Sequence, residues 1–270
     1  MSPERRWGRR SFLRFAAGMA AGALAGPVGA SGQDAAPSAE FGSREPLPGL
    51  IPGHIRYRGG RWQEYPSAMS SLMSEVRKRT SIPAAEDSRT VDLGAPDLFE
   101  HPFLYLSGRY EFEMPDKNEI DRLRRHLTYG GFLLIDDGLG LVSEGFGRSA
   151  RDLVRRLFPR EALEPLPGDH AFFKSYYLIR TIGGRQAVSQ ELEGIRLGSF
   201  TPVVFCRNDL GGAWARRPGG GWAEECTPGG EPQRKAAFHL GVNIILYSMT
   251  GNYKQDLIHH PIIQRRLNQG

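Results

Sequence analysis

The chain has 270 residues, 40% of them hydrophobic and 24% charged, which fits a globular chain of one large domain or two small ones. Its net charge is +5, but residues 1–33 hold five arginines against one acid, Glu4, and that +4 leaves +1 for the rest. No basic stripe remains to suggest a nucleic-acid partner, and two cysteines without a CxxC or Cys/His cluster exclude a structural zinc site.

In chain order, residues 1–33 read as an export signal. A charged start precedes a mild apolar stretch rich in Ala and Gly, then small residues suited to cleavage near Ala30 to Ala36. The apolar stretch is too short and weak for a membrane span, so none is expected in the mature chain. Arg9-Arg10-Ser11-Phe12-Leu13-Arg14 resembles the twin-arginine signal, with Arg9, Arg10, Phe12 and Leu13 as its signal residues. An ordinary secretory signal is the alternative. The expectation is a periplasmic or other extracytoplasmic protein. Residues 34–50, rich in Pro, Ala, Ser and Gly, read as a flexible linker. Export permits a disulfide. Cys206 and Cys226 would close a loop of about twenty residues, and two unpaired thiols are the alternative.

A single α/β domain is expected over residues 51–255. HIRYRGG offers a short strand. Pro66 opens a helix whose Met69, Leu72, Met73 and Val76 fall at i, i+3, i+4 and i+7. Val91-Asp92-Leu93 is a possible strand and Phe103 to Leu106 a stronger one, ending at Ser107-Gly108. Asp116 and Glu119 have capping-box spacing before the apolar face of Ile120, Leu123 and Leu127. Gly130 is placed to stop that helix in a left-handed cap. GFLLID follows at once, so residues 103–136 read as strand, helix, strand, with runs typical of a sheet buried on both faces. Phe146, Ala150, Leu153, Val154 and Leu157 mark the next helix. His170 to Ile179 reads as extended and aromatic, with Tyr176 and Tyr177 as core or pocket wall. Val203 to Cys206 is a strand. A Gly/Pro-rich loop, residues 211–232, leads to a helix from Gln233 to Thr250 ended by Gly251, and residues 256–270 form a peripheral tail bearing His259-His260.

Several separate motifs then carry a resemblance: Tyr57-Arg58-Gly59-Gly60-x-Trp62, Gly130 to Asp137, Gly168-Asp169-His170, Asn208-Asp209-Leu210-Gly211-Gly212-x-Trp214, and Gly241-Val242-Asn243-Ile244-x-Leu246-Tyr247. Over residues 54–255 the chain resembles a bacterial family of unknown function, number four-one-five-nine. The resemblance implies a flavodoxin-like fold, similar to class I glutamine amidotransferases, with a mainly parallel sheet and helices on both faces. It implies association with membrane proteins of the Bat aerotolerance group and MoxR-type ATPases. It supplies no activity. Amidotransferases of this fold carry a nucleophilic cysteine on a strand-to-helix elbow. Here the strand ends read Asp136-Asp137-Gly138, Ser107-Gly108 and Cys206-Arg207-Asn208-Asp209, none of them such an elbow.

Ligands of open α/β sheets bind beyond the carboxyl ends of the strands. Candidate binding residues are therefore Ser107, Asp136, Asp137, Asn208 and Asp209, with Asp169 and His170 in a connection able to reach the same rim and Trp214 as an aromatic wall. Asp136 or Asp137 could hold a divalent cation, act as acid or base, or cap a loop. Side chains alternate along a strand, so the two should not point the same way. His170 and the Asn208-Asp209 turn each have a plain structural alternative. The expected function is an exported module that binds a small ligand or protein partner at this rim, a binder rather than an enzyme for want of a nucleophile elbow. The alternative is a hydrolase, metal-assisted, using an aspartate and His170. A partner-binding module would carry an exposed apolar patch near Trp214 and Trp222. No cofactor is legible.

Overall fold

Apolar runs at the centre of the chain make the middle of a sheet, and polar residues mark where its strands end. In a computed structural model, residues 49–267 are described, with side chains through Thr250. Arg9, Arg10, Phe12, Leu13, the leader and the linker up to residue 48 lie outside the described residues, as do the side chains of His259 and His260.

The strands are β1 (Gly53–Arg56), β2 (Arg89–Asp92), β3 (Phe103–Gly108), β4 (Phe132–Asp137), β5 (Glu164–Pro165), β6 (Glu193–Leu197) and β7 (Phe200–Cys206). They form one sheet in the order β2-β1-β3-β4-β7-β6-β5. β2, β1, β3, β4 and β7 run parallel, while β6 and β5 join antiparallel. The antiparallel edge was not foreseen. β5 has two residues, and β6 alternates imperfectly because a register shift falls between Ile195 and Leu197. Between β3 and β4 runs α2 (Lys117–Thr128), completing the expected strand–helix–strand unit. Its capping box forms: Glu119 N–H donates to Asp116 Oδ1 at 2.9 Å, and Asp116 N–H to Glu119 Oε2 at 2.8 Å. Gly130 takes the positive φ of 108° that the turn into β4 requires.

Alternation along the strands divides the side chains between two faces. On one face, Ile55, Leu104, Leu106, Leu133, Ile135, Val203 and Phe205 pack with Leu123 and Leu127 of α2 and with α3 (Gly145–Leu157). The other face carries His54, Tyr105, Ser107 and Asp136. Over it lie α1 (Ala68–Arg79), the short α4 (Leu210–Trp214) and α5 (Gly230–Leu267). Gly241 of α5 lets this layer close: a Cβ there would stand 2.5 Å from Leu72 and 2.8 Å from Trp214.

Two expectations about elements need correction. α5 does not stop at Gly251 but runs to Leu267, through what was read as a peripheral tail. One glycine costs a helix about 1 kcal/mol and does not end it when the turns on both sides continue. Residues 170–179 are not extended. A 3₁₀ turn, Ala171–Lys174, forms there, because Asn243 of α5 supplies the backbone partners a neighbouring strand would have given. Its Oδ1 accepts from Tyr177 N–H at 2.8 Å, and its Nδ2 donates to the carbonyls of Phe172 and Tyr177. Tyr177 stacks on His239 with ring centroids 3.8 Å apart, while Tyr176 is exposed rather than in the core.

Candidate functional site

The parallel register sets Ser107 of β3 beside Asp136 of β4, and Asp136 beside Cys206 of β7. Three of the expected strand ends therefore do meet along one rim. Asp136 and Asp137 point to opposite faces. Asp136 is buried, and its Oδ1 accepts from Leu210 N–H at 2.8 Å. Its Oδ2 accepts from Gly211 N–H at 2.7 Å and from the Tyr105 hydroxyl at 2.7 Å. Asp137 turns toward α3. Its Oδ1 accepts from Leu139 N–H at 2.9 Å, holding the loop after β4, and its Oδ2 is buried without a hydrogen-bond partner beside Gly147.

Asp209 starts α4 from the left-handed region, φ 56°, which an aspartate tolerates better than most residues. Its Oδ1 accepts from Gly212 N–H at 3.0 Å. Its Oδ2 receives Arg185 Nε and the Tyr65 hydroxyl, with Arg109 Nη2 3.7 Å away. Arg109 also donates to the Tyr65 oxygen and lies 3.5 Å from Glu64, while Arg185 Nη2 donates to the Gly138 carbonyl at 3.1 Å. Two arginines are thus balanced by Asp209 and Glu64. Asp136 would be a surplus charge in this buried group. Burial first, and then the charge of Asp209, push its pKa up to about 7. Burial raises Asp209 as well, against the opposing pull of Arg185.

The first amides of α4 are thus taken up by the chain's own carboxylates. Carboxyl oxygens surrounded by N–H and O–H donors are spent as acceptors, and this does not suit Asp136 to a cation. Among the described residues, no group of three or more His, Cys, Asp or Glu is placed to hold a metal ion.

The other candidates separate. Asn208 is buried, and its amide is fully used: Oδ1 accepts from Val188 and Ser189 N–H, and Nδ2 donates to the Ile182 and Ser189 carbonyls. It pins the 182–189 loop. Trp214 is not a pocket wall. It is wholly buried between Tyr105 and Phe238, because α4 turns it inward. The Trp222 ring carries the guanidinium groups of Arg216 and Arg234 at 3.9 and 4.3 Å, so among the described residues no exposed apolar patch forms around those tryptophans. His170 does not reach the rim. Its Nε2 lies 3.1 Å from Thr201 Oγ1 at the start of β7, five residues, or about 16 Å, from the strand's other end. Asp169 beside it is exposed. Cys206 and Cys226 are buried free thiols rather than a disulfide. Cys206 is enclosed within β7 beside Asp136, while the loop of Cys226 is tied to Arg185 through Thr227 N–H.

Sequence reasoning missed His54, Tyr65, Tyr105, Arg109 and Arg185. His54 pairs with Tyr105 in the β1–β3 register, and its Nε2 lies 3.3 Å from Ser107 Oγ. Trp62 meets its ring edge-on at 5.2 Å, and burial lowers its pKa to about 4. Period-two alternation next to Ile55 was the one signal that set His54 on the face of Ser107.

Residues 53–249 match the model of a family described as a domain of unknown function, DUF4159. A search of curated proteins gives no match. The match spans well over half of the chain, and the chain belongs to that family.

Proposed function

We propose that this is an exported ligand-binding module with a flavodoxin-like, amidotransferase-like domain, and that its ligand sits at the carboxyl end of β1 and β3. The observation that carries the reading is the strand order. The chain leaves β1 for β2 on one side and returns to β3 on the other, and such a reversal opens a crevice above the sheet. Trp62, Tyr65, Ser107 and Arg109 stand around it, each partly exposed, with Tyr110 exposed beside them. Asp136 and Asp209 support the crevice from below, their oxygens engaged by backbone amides, two tyrosines and an arginine.

The test is a thermal-shift screen of the chain from residue 34 with sugars, amino acids, nucleotides and carboxylic esters, run beside Trp62→Ala and Tyr110→Ala. A compound that raises the melting temperature of the wild type, and raises it less in both variants, supports the reading. Equal shifts in all three proteins put the ligand elsewhere. Export rests on Arg9-Arg10 and the stretch that follows. Replacing both arginines with lysine should retain the precursor in the cytoplasm, and unchanged export would remove the twin-arginine route.

A second reading has its own observation. Leu141, Val142 and Val188 are 45%, 48% and 42% exposed, and Val188 lies against Gly140, so three apolar side chains gather at the same rim. A protein partner docking there fits the association with Bat and MoxR-type systems that the family resemblance implies. Val142→Asp should abolish capture of such a partner without lowering the melting temperature, and undiminished capture would dismiss this surface.

A further inference from the structure

Ser107 and His54 form a pair beside the supporting network. The Ser107 hydroxyl stands at the mouth of the crevice, partly exposed, while the imidazole behind it is 6% exposed. The backbone under Ser107 is fixed, because the Tyr57 hydroxyl donates to its carbonyl at 2.9 Å. A neutral imidazole that carries its proton on Nδ1 presents Nε2 as a lone pair, the tautomer the pair requires. His54 Nε2 faces Ser107 Oγ at 3.3 Å, within the looser range expected before substrate arrives. The rings of Trp62 and Tyr105 hold the imidazole from two sides. Burial keeps it uncharged near neutral pH, the form a base needs. Two residues beyond Ser107, Arg109 Nε is a buried N–H without a hydrogen-bond partner.

We infer that Ser107 is a nucleophile with His54 as its base, and that the ligand of this crevice is a carboxylic ester. This rests on the reading that the crevice binds a ligand, and it gives that ligand a class. Ser107 Oγ attacks the carbonyl carbon while its proton passes to His54 Nε2. The tetrahedral adduct collapses, the bond to the leaving alcohol breaks, and the alcohol oxygen takes the proton from His54. A water molecule then gives its proton to His54 and attacks the acyl-serine. Ser107 leaves, recovering the proton, and the products are a carboxylic acid and an alcohol.

The experiment treats the chain from residue 34 with a fluorophosphonate and locates the added mass by peptide mapping. Wild type should gain one label, at Ser107, and Ser107→Ala none there. His54→Gln should label at least about a hundredfold more slowly, the scale of general-base assistance. Absence of label at Ser107 in the wild type overturns the inference, as does an unchanged rate in a folded His54→Gln protein. Should His54→Gln not fold, Ser107→Cys replaces it: its thiol must react with iodoacetamide at pH 6 faster than free cysteine, and a rate no greater overturns the pair. The outcome separates from that of the ligand screen. A compound that shifts the melting temperature through Trp62 and Tyr110 without label at Ser107 leaves the binding module standing and removes the nucleophile.

Discussion

Asp136 ties three parts of the rim together, and its titration should be measurable in the stability of the whole protein. Its pKa in the fold is raised to about 7, against about 3.9 for a free aspartate. Between those values the folded chain holds a proton that the unfolded chain has lost. The contribution of this group therefore favours the fold below about pH 4 and is lost as pH rises through about 7. Asp136→Asn removes the titration and places an amide N–H₂ against Leu210, Gly211 and Tyr105 donors, a loss of about 1–3 kcal/mol. In urea denaturation the wild type should exceed the variant by more at pH 5 than at pH 8. A gap that does not change with pH would show that Asp136 ionises normally. At this scale the sequence was half legible. Asp136, Asp209 and Ser107 stand at strand ends, where polarity interrupts an apolar run. Arg109, Arg185 and Tyr65 come from loops, and nothing in their spacing says that they close on one carboxylate. His170 misled because a connection's direction is not written in its composition.

Among the elements, substitutions at two positions should cost different amounts for different reasons. Asp116→Ala removes one side of the α2 capping box and should cost about 1 kcal/mol. Gly183→Ala should cost about 1–3 kcal/mol or more, since its Cβ would stand 2.2 Å from Ala237 N and 2.5 Å from Gln233 O, both of them backbone of α5. Denaturant midpoints of the two variants give the comparison, and a Gly183→Ala protein as stable as the wild type would mean that the loop and α5 do not meet so closely. The capping box could be read directly, because Asp116 and Glu119 are three residues apart. Gly183 could not, because its neighbour is fifty residues away. The same holds for the strands. Phe103 to Leu106 and Phe132 to Ile135 announce themselves as continuous apolar runs, whereas β6 carries Glu193 and exposed Arg196 and becomes a strand only through its partner β7.

For the whole molecule, the two thiols give a direct check. Burial raises the pKa of both, that of Cys206 most strongly, so neither should be a ready nucleophile in the fold. A thiol reagent should find two free cysteines in denaturant and almost none without it, and reductant should leave the melting temperature unchanged. One intermolecular or internal disulfide in unreduced protein would contradict this. The pairing suggested by the export signal could not be decided from spacing, because burial within β7, not distance along the chain, governs Cys206. The borders of the sheet bear on a different matter. β2 has four residues and β5 only two, one of them Pro165, which has no N–H to offer. An extended guest peptide needs a longer free margin to lengthen a sheet by one strand. Neither margin is a template for that mode of capture, nor for edge-to-edge self-association. The crevice proposed at β1 and β3 is instead a surface that reads through side chains.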